Sequence, residues 1–210
     1  MGLLGIVYLI AITAEAASGA IMGMRRNMDL FGIAFIGTVT ALGGGSVRDM
    51  LLGHYPVGWV AHPEYLAYTI GAAIVTAALA RQAYRLKSAF LVLDAMGLVA
   101  FTVIGCDVAA SLGVHVVIVV LMGLITGIFG GLLRDVLCNQ VPLVLRRDLY
   151  ASVSLVTGVA YVGLQRGGLD HDTAMLVAVT IGFVMRLLAI RYKLALPVFK
   201  AEHVRGFDED

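Results

Sequence analysis

Charge is scarce in this chain. Of its 210 residues only 14% are Asp, Glu, Lys or Arg, against about 25% in an ordinary soluble domain. A net charge of +1 offers no face for nucleic acid or another polyanion, and the basic residues sit in short loops, where they report topology. Cysteine is almost absent as well. Cys106 and Cys138 fall inside apolar runs with no ligand-like neighbour, which makes them small apolar fillers rather than a disulfide or metal pair. Enzyme signatures are missing: there is no H-E-x-x-H, no G-x-S-x-G and no phosphate loop with lysine after glycine. Ser46 has no histidine or lysine at a comparable depth, so neither an enzyme nor a cofactor is expected. The N-terminus lacks a basic leader region and its apolar run contains Glu15, which reads as a retained span.

What the chain has is apolar residue, 60% of it, with a mean hydropathy of +0.93. That is an all-α integral membrane composition. A span takes roughly 20 apolar residues, so six or seven helices with short loops use up the length. Seven spans are predicted, over about 3–24, 30–53, 64–81, 89–112, 114–138, 149–166 and 172–191. They form one membrane domain over 1–200, followed by a tail at 201–210. Arg25 and Arg26 follow the first span, and Arg81, Arg85 and Lys87 the third. Arg146 and Arg147 follow the fifth, and Arg191, Lys193, Lys200 and Arg205 the seventh. Basic residues mark cytoplasmic loops, so the N-terminus is placed outside and the C-terminus in the cytoplasm of a cell inner (plasma) membrane.

One pattern occurs twice inside these runs: Gly43-Gly44-Gly45-Ser46-Val47-Arg48-Asp49 and Phe129-Gly130-Gly131-Leu132-Leu133-Arg134-Asp135. Arg48 and Arg134 stand 86 residues apart. The same ungapped offset joins Gly19 to Gly105, Gly37 to Gly123, Thr40 to Thr126 and Pro56 to Pro142. Spans 1–3 (about 3–81) and 4–6 (about 89–166) therefore read as copies of one unit, with a seventh helix added. Three helices per unit means that the second copy is inserted upside down, an architecture whose site lies near the midplane where glycine-interrupted helices of the two halves meet.

Both halves of the pattern are costly. Each glycine weakens a helix by about 0.8–1 kcal/mol relative to alanine, and a charge at the bilayer centre costs about 2.5–3.5 kcal/mol on insertion scales. Two readings compete for the glycines: a helix break whose freed carbonyls line a cation route, or close helix packing through small residues. Their matched positions favour the break, with kinks in spans 2 and 5. Thr40, Ser46 and Thr126 then offer pore hydroxyls. Neighbouring side chains diverge on a helix, so each Arg-Asp pair is not expected to neutralise itself. Under the inverted symmetry Arg48 can pair with Asp135, or Arg134 with Asp49, to charge the crossing of the two helices; the alternative is a structural ion-pair lock with no role in conduction.

Glu15 breaks the repeat, since its partner position holds Phe101. A carboxylate at mid-span faces a cavity or a partner, either shaping the field for cations or pairing with an arginine. Asp94, near the start of span 4, is expected to cap that helix. Arg186 is expected to snorkel to the cytoplasmic face with Arg191. His54, His62, His115 and His171 fall in outer loops and are expected to be solvated, and Tyr55, Trp59 and Tyr65 to anchor the interface.

These residues carry a family resemblance. The two Gly-rich Arg-Asp motifs, the run Leu93-Asp94-Ala95-Met96-Gly97-Leu98, and Pro142 followed by Arg146-Arg147 resemble the prokaryotic trimeric intracellular cation (TRIC) channels. So does the stretch Arg186-Leu187-Leu188-Ala189-Ile190-Arg191. The likeness spans about residues 5–200. It implies a homotrimer with one pore in each subunit, kinks at Gly43, Gly44 and Gly45 and at Gly130 and Gly131, and passage of K⁺ and Na⁺. This chain departs from the pattern in several places, one of them near Val108, where some relatives carry a basic residue. Tyr8 stands where relatives often carry an acid, Glu15 where they carry an apolar aromatic, and Phe129 where three glycines are common. The bacterial branch has also been labelled a glycine-transporter-like domain, so a secondary transporter of a small solute such as glycine is the alternative, and inverted repeats serve it equally. Membrane lipid in clefts between subunits is the one further partner expected.

Overall fold

The structure is a computed structural model that describes residues 2–80, 86–145 and 149–196. The predicted tail at 201–210, Arg146 and Arg147, and Arg81 and Arg85 lie outside the described residues. All described secondary structure is helical: α1 (Leu3–Arg25), α2 (Leu30–Leu52), α3 (Gly58–Ala61), α4 (Glu64–Ala80), α5 (Leu86–Ser111), α6 (Val116–Leu137), a 3-10 turn (Leu143–Leu145), α7 (Ala151–Arg166) and α8 (His171–Tyr192). Every stretch expected to span is helical, with ends within three residues of the expected ones.

Helix ends follow local chemistry. Asp29 starts α2 by accepting the Gly32 amide at 2.7 Å, and α2 stops at Gly53, which adopts φ 64°, a conformation glycine takes without a Cβ penalty. Asp170 starts α8 by accepting from the Thr173 amide at 3.0 Å. That hydrogen bond holds its carboxyl below the usual range, because it is made to the charged form.

Five helices, α1, α2, α5, α6 and α8, are long and apolar enough to cross a membrane. The 17 residues of α4 and the 16 of α7 reach about 25 Å at 1.5 Å per residue. Burial is inverted relative to a soluble protein: Phe31 is 79% exposed and Leu79 62%, while Glu15, Asp49, Asp94, Arg134, Asp135 and Arg186 are buried. Large apolar side chains cover the outside of the bundle while these ionisable ones are turned inward, which is the arrangement lipid demands. The protein is an integral membrane protein.

The most buried span is α5, which packs on α1, α6, α7 and α8. Its crossing with α6 is made as α1 crosses α2. A Cβ on Gly19 would press on Thr40 Oγ1 and the Ile36 carbonyl, and one on Gly105 on Thr126 Oγ1 and the Met122 carbonyl. Each of these pairs of residues is 86 apart. Cys106 and Cys138 are free and buried, as expected of fillers.

The expected helix breaks are not found. The α-helix runs uninterrupted through Gly43, Gly44 and Gly45 in α2 and through Gly130 and Gly131 in α6. The physical reason is the crossing of these two helices. A Cβ on Gly44 would collide with the Thr126 carbonyl, and one on Gly130 with the Thr40 carbonyl. Bare glycine lets the two backbones touch, and touching backbones repay the weak helix propensity of both clusters. The contact pairs, 44 with 126 and 130 with 40, run in opposite senses, so α2 and α6 cross antiparallel.

Candidate functional site

Two polar corners flank this crossing, one at the C-terminal end of each helix. At the end of α2, Arg48 donates Nε and Nη2 to Asp49 Oδ1 at 2.9 and 2.7 Å. Asp49 Oδ2 accepts the Gly58 amide at 3.0 Å, and His54 Nδ1 lies 3.3 Å from Oδ1. Ser46 donates to the Leu42 carbonyl at 2.8 Å and accepts from Trp59 Nε1 at 3.1 Å. Tyr8, Gly45, Ser46, Arg48 and Trp59 line a cavity of about 10 Å³.

At the end of α6, Arg134 is fully buried. Its Nε donates to Asp135 Oδ1 at 2.9 Å, and its Nη1 to Asp94 Oδ1 and Ser18 Oγ, both at 2.7 Å. Glu15 Oε2 stands 3.9 Å from Nη1. The guanidinium lies over Phe90, 4.6 Å from its centroid, and Asp135 Oδ2 accepts the Leu143 amide at 2.8 Å. Three carboxyl groups thus surround one guanidinium. The next cation is Arg186, over the Tyr150 ring at 4.8 Å, and Tyr150 donates to Asp94 Oδ1 at 3.4 Å. Asp94 Oδ2, Arg134 Nη2, and Arg186 Nε and Nη2 are buried without a hydrogen-bond partner among the described residues. Buried polar atoms of this kind normally meet water or an ion.

Several expectations are corrected here. Each arginine pairs with its own neighbour rather than across the repeat. A long guanidinium stem can curl back to an adjacent carboxylate, and in an antiparallel crossing the ends diverge. Gly44 lies level with Thr126 and Gly130 with Thr40, so Arg48 and Arg134, four residues further out on each helix, stand about 18 Å apart along the axes. Asp94 does not cap α5; it lies within that helix, buried, as a partner of Arg134. Arg186 does not snorkel; an aromatic face shields it in the interior. Trp59 spends its N–H on Ser46 instead of on the interface. The four histidines expected to be solvated are exposed, although His54 also meets Asp49 and His171 Nε2 lies 2.8 Å from Asp107 Oδ1. The Thr40 and Thr126 hydroxyls donate back to Ile36 and Met122 carbonyls, both at 2.6 Å, so their protons are committed to their own helices.

Glu15, Asp94, Arg134 and Asp135 are brought together; Arg48 and Asp49 form a separate corner. Ser18, Phe90, Tyr150 and Trp59 were not anticipated. One relation was available in the sequence, since the 86-residue offset places Asp94 opposite Tyr8. The acid that clamps the second arginine has a tyrosine as its counterpart at the first. Arg186 gives a testable contrast. No carboxylate among the described residues is tied to it, so Arg186→Met should leave thermal stability in detergent unchanged or raised, as when buried charges give way to apolar groups. A clear fall in melting temperature would show an essential partner.

A family model described as "Glycine transporter" matches residues 5–81 and 91–166, two stretches that start 86 residues apart. The inner membrane protein YadS of Escherichia coli is 38% identical over 199 residues, covering 92% of this chain and 96% of that protein. A Vibrio cholerae membrane protein is 37% identical over 198 residues, covering 94% and 83%. Both carry the UPF0126 designation. Among solved structures, the TRIC trimeric intracellular cation channel orthologue from Rhodobacter sphaeroides superposes with a TM-score of 0.89 at 32% identity, over 92% of this chain and all of that one. The chain belongs to the prokaryotic TRIC family. A second TRIC cation channel structure matches at a TM-score of 0.86 and 35% identity over 95% of this chain and 98% of the other. Within that TRIC fold, the antiparallel α2–α6 crossing and its two Arg-Asp corners are what the shared Gly-rich motifs build here.

Proposed function

We propose that this protein is a cation channel, multi-pass in the cell inner membrane, with its N-terminus outside and its C-terminus in the cytoplasm. Two inverted three-helix repeats and a seventh helix form the subunit. The 86-residue offset, the doubled family match and the antiparallel α2–α6 crossing support that arrangement. The subunit assembles as a homotrimer with one pore in each copy and passes monovalent cations, K⁺ and Na⁺; solved relatives described as trimeric cation channels support this. Lipid fills the clefts between subunits.

The observation that carries the reading is the charge at the α6 corner. Glu15, Asp94 and Asp135 outnumber Arg134 and Arg186 in a space closed to lipid. With every group ionised the formal balance is −1, and a surplus of negative charge at membrane depth lowers the barrier for a cation. The route runs beside the α2–α6 crossing, between the corners, and not through interrupted helices.

Purified protein in planar bilayers should give unitary currents that reverse near the K⁺ equilibrium potential, and liposomes of the same preparation should show no saturable, gradient-coupled glycine uptake. Electrical silence at all voltages together with saturable glycine uptake would replace the channel by a secondary transporter.

A further inference from the structure

The α2 corner has a cover. Of the four residues of α3 (Gly58–Ala61) none is buried, and two side chains of α2 hold this short helix down. Asp49 Oδ2 takes the Gly58 amide at 3.0 Å, and Ser46 Oγ takes the Trp59 indole N–H at 3.1 Å. Asp49 is itself fixed by Arg48. Under the indole lies the cavity shared by Tyr8, Gly45, Ser46 and Arg48, of about 10 Å³. A space of roughly 10–15 Å³ holds a single water, so no hydrated cation fits beneath Trp59. A segment tied by two hydrogen bonds, with no apolar core of its own, belongs to the low-stability end of a fold. It can lift without disturbing the helix bundle.

We propose that Trp59 is the occluding residue at the outer mouth of the conduction route, carried on α3 as a lid. The Ser46 hydroxyl latches it, and Asp49 is the positioning residue from which it hangs. This inference rests on the channel reading for the route that the lid covers. An interfacial anchor would turn its indole N–H to headgroups; this one is spent on the Ser46 hydroxyl, and Trp59 shares the lining of the small cavity with Gly45. Tyr8 is part of the floor, which explains why a bulky residue is accommodated where Asp94 stands in the other half.

The test uses two reporters in the full-length protein. Trp59 is the sole tryptophan, so intrinsic fluorescence reads the lid directly. Ser46→Ala removes one hydrogen bond and should shift the lid toward opening by about five-fold, seen as red-shifted emission and stronger acrylamide quenching. The second reporter is Gly45→Cys, whose new Cβ meets nothing nearer than Arg48 Nη2 at 3.7 Å. In detergent it should react slowly with a charged methanethiosulfonate, and the wild-type protein, with both cysteines buried, supplies the blank. With an open state populated at roughly 10% or less, adding Trp59→Ala should raise that rate about ten-fold or more, and Trp59→Phe should fall between. Equal rates with and without the indole, fast or slow, would overturn the lid. Faster labelling with no ion current in any variant would keep the lid and remove the channel reading, so the two failures are distinguishable.

Discussion

Arg134→Met is expected to lower stability more than any other single exchange at the site, by about 3–5 kcal/mol, the cost of leaving buried charge uncompensated. Its guanidinium is the only cation touching Asp94, Asp135 and Glu15 among the described residues. Without it three buried carboxyl groups share a space closed to lipid with no cation between them. A membrane domain of this size should then melt roughly 6–20 °C lower in detergent, with aggregation on size exclusion. Arg134→Lys should lie between, because an ammonium keeps the charge but cannot reach Asp94, Ser18 and Asp135 with one planar fork. Arg48→Met is the informative contrast. Among the described residues its guanidinium serves Asp49 alone and has a tyrosine in place of a second acid, so the loss should be distinctly smaller. Equal melting temperatures for Arg134→Met and wild type would mean that the acids are neutral without their arginine, and the surplus of negative charge behind the cation reading would go with them.

Alanine at Gly44 or Gly130 is the second large effect, and here the sign decides. Helix propensity alone favours alanine by about 0.8–1 kcal/mol, so glycines serving only to loosen a helix would give a stabilised protein. The structure predicts the reverse. The added methyl meets a backbone carbonyl of the opposing helix, Thr126 for Gly44 and Thr40 for Gly130. A backbone cannot rotate away as a side chain can, so α2 and α6 must separate, at an overpacking cost of about 1–3 kcal/mol. Gly71, in α4, has nothing within 4 Å of its position for a Cβ, and Gly71→Ala should show the propensity gain undisturbed. Thermal melts of the three variants give the comparison. A stabilised Gly44→Ala would refute the close crossing, and currents through it that match wild type would place conduction elsewhere.

The helices were legible because lipid writes them in length and hydropathy, and the correspondence of the two Gly-rich stretches because the offset of 86 holds without a gap from Gly19 and Gly105 to Pro56 and Pro142. Other features were not legible. Three glycines in a row carry a helix penalty that a sequence displays, while the backbone contact that offsets it belongs to a helix 86 residues away. Separation along the chain also hid the partners of Arg134: Asp94 and Ser18 lie 40 and 116 residues from it. The side chain chose them once α1, α5 and α6 had met. The four residues of α3 and the turn at Leu143–Leu145 are too short for any periodicity. Yet both hang from the second oxygen of a motif aspartate, Asp49 or Asp135, and that hidden role explains why an acid follows the arginine in each copy.

The substitution of tyrosine for carboxylate between the two copies has an electrical corollary. Twin halves related by a two-fold axis in the membrane plane would present the same energy profile to ions arriving from either side. With Tyr8 at the α2 corner and Asp94 at the α6 corner, the profile of such a channel would be lopsided, and current driven inward would differ from current driven outward at the same voltage. Rectification, with a polarity set by these two side chains, is the signature that gene duplication followed by divergence would leave in such a molecule.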